Sequence, residues 1–211
     1  MDGRFDESFR TTLTQLLSWR RDVRRFRPDK LPAGLLEELL RLACLAPSVG
    51  FSQPWRWVSV EAPERRAAVL ANFRACNQEA LRDLTGSRAA LYSRLKLAGL
   101  AEAPVHLAVL VDPETETGHG LGRQTMPEML HYSCVCAIHT LWLAARAHGI
   151  GLGWVSILDP QEVCLLLEVP STWQLIAYLC LGYPEQEQDR PELEQQGWAE
   201  RHGPKVVRLY R

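Results

Sequence analysis

The stretch that decides the fold is residues 127–157, PEMLHYSCVCAIHTLWLAARAHGIGLGWVSI. Up to about His148 it is apolar almost all round, which predicts a helix buried on most sides. Gly149 and Gly151 end this helix, and residues 152–157 follow as a strand. A helix of about 20 residues is roughly 30 Å long, more than one domain of 211 residues can bury alone. The sequence therefore predicts that the long helix lies at a subunit interface.

Helices and strands on either side of this segment alternate only in part. Apolar residues at helical spacing predict helices over 6–19, 32–46, 63–84, 87–100 and 160–169. Buried-type apolar runs predict strands over 56–62, 105–112 and 174–184. Loops are predicted where Gly, Pro and Ser cluster, at 46–55 and 113–124. Because several steps lead from helix to helix, the order fits a mixed α/β or an α+β layered domain, a single one over 1–211, with residues 185–211 as a C-terminal arm.

The composition is that of a soluble globular protein. Hydrophobic residues make up 46% of the chain and charged residues 23%, which is enough apolar material for a sizeable core. The formal charge of -1 disfavours a chain built to bind nucleic acid or an anionic membrane. The start, MDGRFDES, is unlike a secretory signal, and no apolar run of about 18 residues predicts a membrane span. Six cysteines without a Cys-x-x-Cys pair predict reduced thiols and a cytoplasmic location.

Residues 20–27, RRDVRRFR, contain five arginines. Guanidinium groups bind phosphate oxygens bidentately, and a turn of the chain here would aim Arg20, Arg21 and Arg24 at one anionic group. A solvated basic face is an equally good interpretation of this run on its own. Nucleic-acid binding is a weaker interpretation, because no second basic patch and no interleaved aromatic residues accompany the run.

Two further segments combine small residues with hydrogen-bonding side chains. The loop APSVGFSQPW at 46–55 lets the backbone approach a flat ligand closely, and Ser48 is among its polar groups. The strand GLGWVSI at 151–157 again has glycines that permit close approach, and its Ser156 is polar within an apolar run. A serine in such a strand is more often structural, so this segment alone does not establish a site.

Two patterns and one histidine have a partial likeness to cofactor or metal motifs. Residues 118–122, GHGLG, differ from the GxGxxG of dinucleotide-binding folds, and no acidic residue follows in the required context. Glu128 and His131 match one half of a di-iron motif whose second copy is absent from the sequence. His139 lies on the apolar helix and is expected to be a hydrogen-bonded core histidine. The sequence therefore predicts no metal site.

Taken in chain order, these segments resemble the nitroreductase superfamily of flavin proteins. The resemblance covers about residues 15–185 and rests on RRDVRRF, APSVGFSQPW, the long helix and GLGW. It implies a homodimer whose subunits are three-layer sandwiches, with a central mixed sheet flanked by helices and the long helix at the dimer interface. It also implies that flavin mononucleotide (FMN) binds where the two subunits meet.

Within this family the chain is most similar to a branch that consumes its flavin. The similar stretches are RRDVRRF, APSVGFSQPWRWV and the run 126–160, and Asp22 stands where other members usually have a serine or another small residue. The resemblance implies that reduced FMN and O2 give 5,6-dimethylbenzimidazole, the lower ligand of cobalamin (vitamin B12), and erythrose 4-phosphate. The alternative is an ordinary NAD(P)H-dependent nitroreductase or flavin reductase, in which FMN is a recycled cofactor.

The resemblance also implies roles for individual residues. Asp22 and Ser156 are the implied catalytic residues at the reacting edge of the flavin, where a carboxylate can act as a general acid or base. The implied flavin-binding residues are Arg20, Arg21, Asp22, Val23, Arg24, Ser48, Leu97 and Ser156. A covering segment is expected at 86–104, with Leu97 near the ring, or else at 113–124. NAD(P)H would enter only indirectly, through a separate flavin reductase that supplies reduced FMN.

Overall fold

The computed structural model describes residues 4–201. Residues 1–3 lie outside the described residues, and so do residues 202–211 of the predicted C-terminal arm. The helices are α1 (Glu7–Trp19), α2 (Leu35–Ala43), α3 (Pro63–Arg82), α4 (Gly86–Tyr92), α5 (Met129–Ala147), α6 (Pro160–Leu166) and α7 (Glu192–Gln195), with a 3-10 turn at Val49–Phe51. The strands are β1 (Trp55–Ser59), β2 (Val105–Val111), β3 (Gly151–Val155) and β4 (Gln174–Gly182).

The four strands form one sheet in the order β1-β2-β4-β3. Every neighbouring pair is antiparallel, so the expected mixed sheet is corrected to an antiparallel one. Parallel pairing within residues 4–201 is confined to an isolated bridge between Asp22 and Leu152. The physical reason lies in the connections: Ser59 at the end of β1 pairs with Leu107 near the start of β2. The helices between them therefore return the chain to the end of the sheet that it left.

Helices cover both faces of the sheet, which makes three layers. Successive residues of a strand point to opposite faces. Leu107 and Val109 of β2 accordingly pack with buried residues of α2 and α5, whereas Ala108 and Leu110 pack with buried residues of α3 and α6. The α+β layered fold predicted from the sequence is confirmed.

One predicted helix is wrong over half of its length. The helix predicted at 87–100 ends at Tyr92, and residues 93–99 run as an irregular segment beside residues 24–26. The cause is visible at Gly99, where an added Cβ would lie 2.3 Å from the ring of Phe26. The segment bends onto that ring instead of continuing the helix.

The long helix α5 is buried along one side and exposed along the other. Ser133, Ala137 and Leu141 are buried, while Tyr132 and Val135 are 51% and 40% exposed. His139 is also exposed, so the expectation of a core histidine is wrong. Helical spacing explains this result, because His139 follows Tyr132 by two turns and therefore shares its face.

A polar pair lies in the core between β2 and β4. His106 is 2% exposed, and its Nδ1 lies 3.0 Å from the hydroxyl of Tyr178. Burial, helped by the charge of Arg66, lowers the pKa of His106 from 6.5 to about 4. Between about pH 4 and 6.5, His106 is therefore neutral in the folded protein, whereas the same side chain is protonated in the unfolded chain.

We predict that the free energy of unfolding falls as the pH is lowered from about 6.5 to 4. The folded pKa of His106 is depressed, so its stabilisation is complete above the unfolded pKa and is lost on acidification, by up to about 3 kcal/mol. Urea titrations at several pH values measure this loss. A His106→Gln variant keeps a polar partner for Tyr178 without titrating, and should lose clearly less stability over the same range. Equal losses in the two proteins would assign the effect to other groups.

Candidate functional site

The arginine-rich segment 20–27, called the strap below, runs along the free edge of β3. The backbone N–H of Val23 donates to the carbonyl of Leu152 at 3.0 Å. An added Cβ on Gly153 would lie 2.1 Å from the Val23 carbonyl oxygen, and one on Gly151 would lie 2.8 Å from the Val23 side chain. The two glycines therefore admit the strap itself, which corrects the expectation that they admit a ligand.

This contact places the carboxylate of Asp22 at the end of β3. Its Oδ1 accepts a hydrogen bond from the backbone N–H of Trp154 at 2.9 Å, and its Oδ2 accepts one from Nε of Arg24 at 2.8 Å. The Asp22 side chain is 30% exposed. The carboxylate is therefore fixed in orientation by two donors and remains open to a ligand.

The arginines of the strap do not converge on one anion. Arg20 lies over the ring of Trp142 at 4.9 Å. Arg21 donates to the carbonyls of Ser18 and Arg20 and, at 2.7 Å, to that of Asp189. Its Nε is buried without a hydrogen-bond partner among the described residues, and burial together with the charge of Arg20 lowers the pKa of Arg21. One Arg21 donor is therefore both buried and unpaired among the described residues.

A cavity of about 320 Å³ opens beside Asp22. Arg21, Asp22, Val23 and Arg24 line one wall, and the rings of Trp19 and Trp142 contribute to another. Pro184 and residues of the arm, among them residues 185–188 and Glu192, contribute further lining. A volume in this range suits a small-molecule ligand. The wall combines aromatic rings and guanidiniums with the carboxylates of Glu185, Glu187 and Glu192, so it carries charges of both signs.

Two tryptophan contacts add to what the sequence predicted. The indole N–H of Trp142 donates to the Arg21 carbonyl at 3.0 Å, which anchors the strap to α5. Trp198 packs against Tyr92 with the ring centroids 6.0 Å apart, so the described part of the arm folds back onto the domain. The arm carries no periodic apolar pattern that would have revealed this contact.

Four of the predicted site residues are absent from the lining of this cavity: Arg20 of the strap, and Ser48, Leu97 and Ser156. Ser48 is in the loop before β1, where its hydroxyl accepts a hydrogen bond from the Gln53 N–H at 3.1 Å. Leu97 lines a second cavity of about 220 Å³. Ser156 follows the last residue of β3 and is exposed. One chain therefore brings together the strap residues but neither Ser48, Leu97 nor Ser156, whose roles stay predictions.

The loop at 46–55 is interlocked with the loop at 113–124. An added Cβ on Gly118 would lie 2.3 Å from the carbonyl oxygen of Gly50, so the two backbones touch. The Val49 N–H also donates to the hydroxyl of Ser133 on α5 at 3.0 Å. The loop that carries Ser48 is thus held against the start of the long helix, and residues 113–124 support it.

Neither a metal cluster nor a membrane-crossing helix is found in the described part of the chain. No group of three or more His, Cys, Asp or Glu side chains within residues 4–201 could hold a metal ion. None of the helices in that range has both the length and the hydropathy that a membrane crossing requires.

Comparisons with known proteins cover nearly the whole chain. Residues 17–183 match the model of the "Nitroreductase family". A 5,6-dimethylbenzimidazole synthase of Rhodospirillum rubrum is 53% identical over 97% of this chain and 97% of its own length. One of Rhodobacter capsulatus is 47% identical over 93% and 95%. A solved structure of iodotyrosine deiodinase bound to FMN and 3-iodo-L-tyrosine superimposes with a TM-score of 0.71 at 25% identity, covering 94% of this chain and 98% of that one.

We predict that Gly153→Ala displaces the strap and destabilises the fold. The new methyl group would meet the Val23 carbonyl at 2.1 Å, and such overpacking costs about 1–3 kcal/mol. Chemical denaturation measures the loss, and faster hydrogen exchange of the Val23 amide locates it. Gly86→Ala is the control, because its Cβ meets open space and only its positive φ is strained. Equal stability of Gly153→Ala and the wild type would contradict the close contact.

Proposed function

The chain belongs to the nitroreductase family, and on that premise we propose that it is a 5,6-dimethylbenzimidazole synthase. The observation that carries the proposal is the 53% identity, over nearly the full length of both chains, to a protein of that activity. The proposed reaction takes reduced FMN and O2 as substrates and releases 5,6-dimethylbenzimidazole and erythrose 4-phosphate, with the remaining pyrimidine portion of the flavin, oxidised by O2, as the third product. The product would serve as the lower ligand of cobalamin. A separate flavin reductase would supply the reduced FMN, so NAD(P)H is needed only indirectly.

Asp22 is proposed as the catalytic acid or base. Reduced FMN supplies the dimethylated ring and the ribityl carbon from which the product is built. Breaking it down requires protons to be moved at ring and ribityl carbons. The Asp22 carboxylate accepts hydrogen bonds from Trp154 and Arg24, which fixes the direction in which it faces a bound ring. A fixed carboxylate at an open cavity can transfer protons in one defined geometry.

The predicted residues other than Asp22 and Arg24 are proposed to bind and orient the flavin. Arg21 has a buried Nε without a described partner, and Arg20 lies beside it over Trp142. These guanidiniums suit the phosphate and the polar edge of FMN. Ser156 continues from the strand that donates to Asp22, so its hydroxyl is proposed to orient oxygen or water near the same edge. Val23, Ser48 and Leu97 complete the proposed set.

A homodimer is proposed to bring Ser48 to the flavin. Helix α1 has no buried residue, and its apolar residues Phe9, Leu13 and Leu17 are 43%, 39% and 47% exposed. Exposed apolar faces of this size mark protein interfaces. Since α1 contacts α5, the two helices offer a joined surface to a second copy. Flavin bound between two subunits would contact the strap of one and the Ser48 loop of the other.

The thiols agree with a cytoplasmic location, which we also propose. All six cysteines fall within the described residues, and none forms a disulfide. Burial raises the pKa of Cys134 to about 12 and that of Cys180 to about 12, so these two thiols stay protonated and inert. A reducing compartment is the one in which such a chain persists with its thiols intact.

We predict that reduced FMN, prepared without oxygen and then exposed to air on stoichiometric protein, yields 5,6-dimethylbenzimidazole. Chromatography with mass detection measures the product. Asp22→Asn should lower the yield at least about 100-fold, because the proton-transferring group is lost, while oxidised FMN still binds. Asp29→Asn, which disrupts only an exposed pair with Arg27, is the control. A wild-type protein that gives only oxidised FMN and hydrogen peroxide contradicts the proposed function. If it also bleaches FMN with NAD(P)H and reduces nitro compounds, the protein is an ordinary nitroreductase or flavin reductase.

We predict that charge on the exposed α1 and α5 faces dissociates the dimer. Leu13→Asp combined with Val135→Asp should give monomers in sedimentation velocity, since two unpaired charges would be buried in the interface. The affinity for FMN should fall when the dimer dissociates. Leu165→Asp, at a site that is 78% exposed on α6, should leave the sedimentation unchanged. A double variant that sediments like the wild type would place the interface elsewhere.

A further inference from the structure

Arg24 has a different environment from the other arginines of the strap. Its side chain is only 14% exposed. Its Nε donates to Asp22 at 2.8 Å, and its Nη1 donates to the backbone carbonyl of Lys96 at 3.2 Å. Two of its three nitrogens are therefore engaged with the protein, and one of them is engaged with the proposed catalytic carboxylate.

These contacts join two parts of the chain that are far apart in sequence. Lys96 immediately precedes Leu97, in the irregular segment 93–99 that follows α4. The segment is also held at its far end, because Gly99 leaves room for the Phe26 ring at a distance where a Cβ would clash. A third tie is the ion pair between Lys96 and Glu102 at 2.6 Å. The Arg24 side chain therefore hydrogen-bonds both to this segment and to Asp22.

The geometry of the guanidinium explains why an arginine stands here. Its nitrogens form a rigid planar fork, so donors on two sides of the group are held in fixed relation to each other. One donor aligns the Asp22 oxygen and another secures the 93–99 backbone. A lysine ammonium is a point charge on a flexible stem and cannot serve both acceptors in this way. The charge of Arg24 is also already balanced by Asp22, which leaves little of it for a ligand phosphate.

We propose that Arg24 is a positioning residue and not a ligand of the flavin phosphate. It orients Asp22 for proton transfer and couples that orientation to the segment carrying Leu97. The inference rests on the proposed function, because Asp22 must be the proton-transferring group. It departs from the resemblance, which assigned Arg24 to flavin binding together with Arg20 and Arg21.

The test separates turnover from phosphate binding in Arg24→Gln. We expect kcat for 5,6-dimethylbenzimidazole formation from reduced FMN to fall about 10- to 100-fold, because a misplaced catalytic group loses that much rate. The KM for reduced FMN should stay within about twofold. Fluorescence titration of the same variant with oxidised FMN and with riboflavin, which lacks the phosphate, should show that both affinities are preserved.

Two further variants make the result decisive. Arg24→Lys retains the charge without the fork, so we expect it to lose kcat as well and to retain both affinities, even if Arg24→Gln folds poorly. Arg27→Gln is the matched control, since Arg27 is 51% exposed, pairs with Asp29 and does not line the cavity. It should match the wild type in every measurement.

The opposite pattern overturns the inference. If Arg24 binds phosphate, Arg24→Gln will weaken FMN binding about 10- to 100-fold, as expected for a lost charged hydrogen bond, with riboflavin binding unchanged. Arg24→Lys will then recover much of the FMN affinity. An unchanged kcat in both Arg24 variants also overturns it. A wild-type protein that forms no 5,6-dimethylbenzimidazole would instead reject the proposed function, which is a separate and recognisable outcome.

Discussion

The contact between the strap backbone and Gly153 is the constraint on which the site depends. The Val23 carbonyl occupies the space that any other side chain at position 153 would fill. Once the strap lies there, Val23 pairs with Leu152, and Asp22 meets the amide of Trp154. The carboxylate is thus placed by backbone groups of a buried strand, which vary less in position than side chains in loops. A site built this way is preorganised before any ligand arrives.

One row of residues in the sheet beneath the Asp22 carboxylate leaves space for the strap. Directly opposite residues on antiparallel strands point to the same face, and Gly153, Cys180 and His106 are paired in that sequence across three strands. Side-chain volume therefore grows from the edge inward, from nothing to a thiol to an imidazole. The hollow at Gly153 receives the strap, and its ideal Cβ position lies 3.8 Å from Asp22 Oδ1. Farther in, His106 and Tyr178 are hydrogen-bonded to each other, and both are buried.

Sequence patterns predicted the elements better than the contacts between them. The long helix and the buried strands follow from periodicity, and the ordered motifs led to the family. The helix over 87–100 was overextended because the need for Gly99 arises only when Phe26 packs beside it. The glycines of GLGW were assigned to a ligand, although the chain itself fills that space. The arginine run was expected to converge on one anion, but each guanidinium has its own neighbour, and no local pattern encodes which carbonyl or ring that neighbour is.

The distribution of the proposed site residues in one chain is what the proposed homodimer requires. Asp22 and Arg21 line the cavity beside β3, whereas Ser48 lies in a loop fastened to the start of α5 through Val49 and Ser133. The strap is fastened to the same helix near its other end, through Trp142. These anchors are separated by nine helical positions, or about 13 Å at 1.5 Å per residue. A symmetric pairing along the exposed face of α5 can bring the start of one helix near the end of its partner, so the two half-sites would meet. In this arrangement the helix that decides the fold also determines where a flavin can bind.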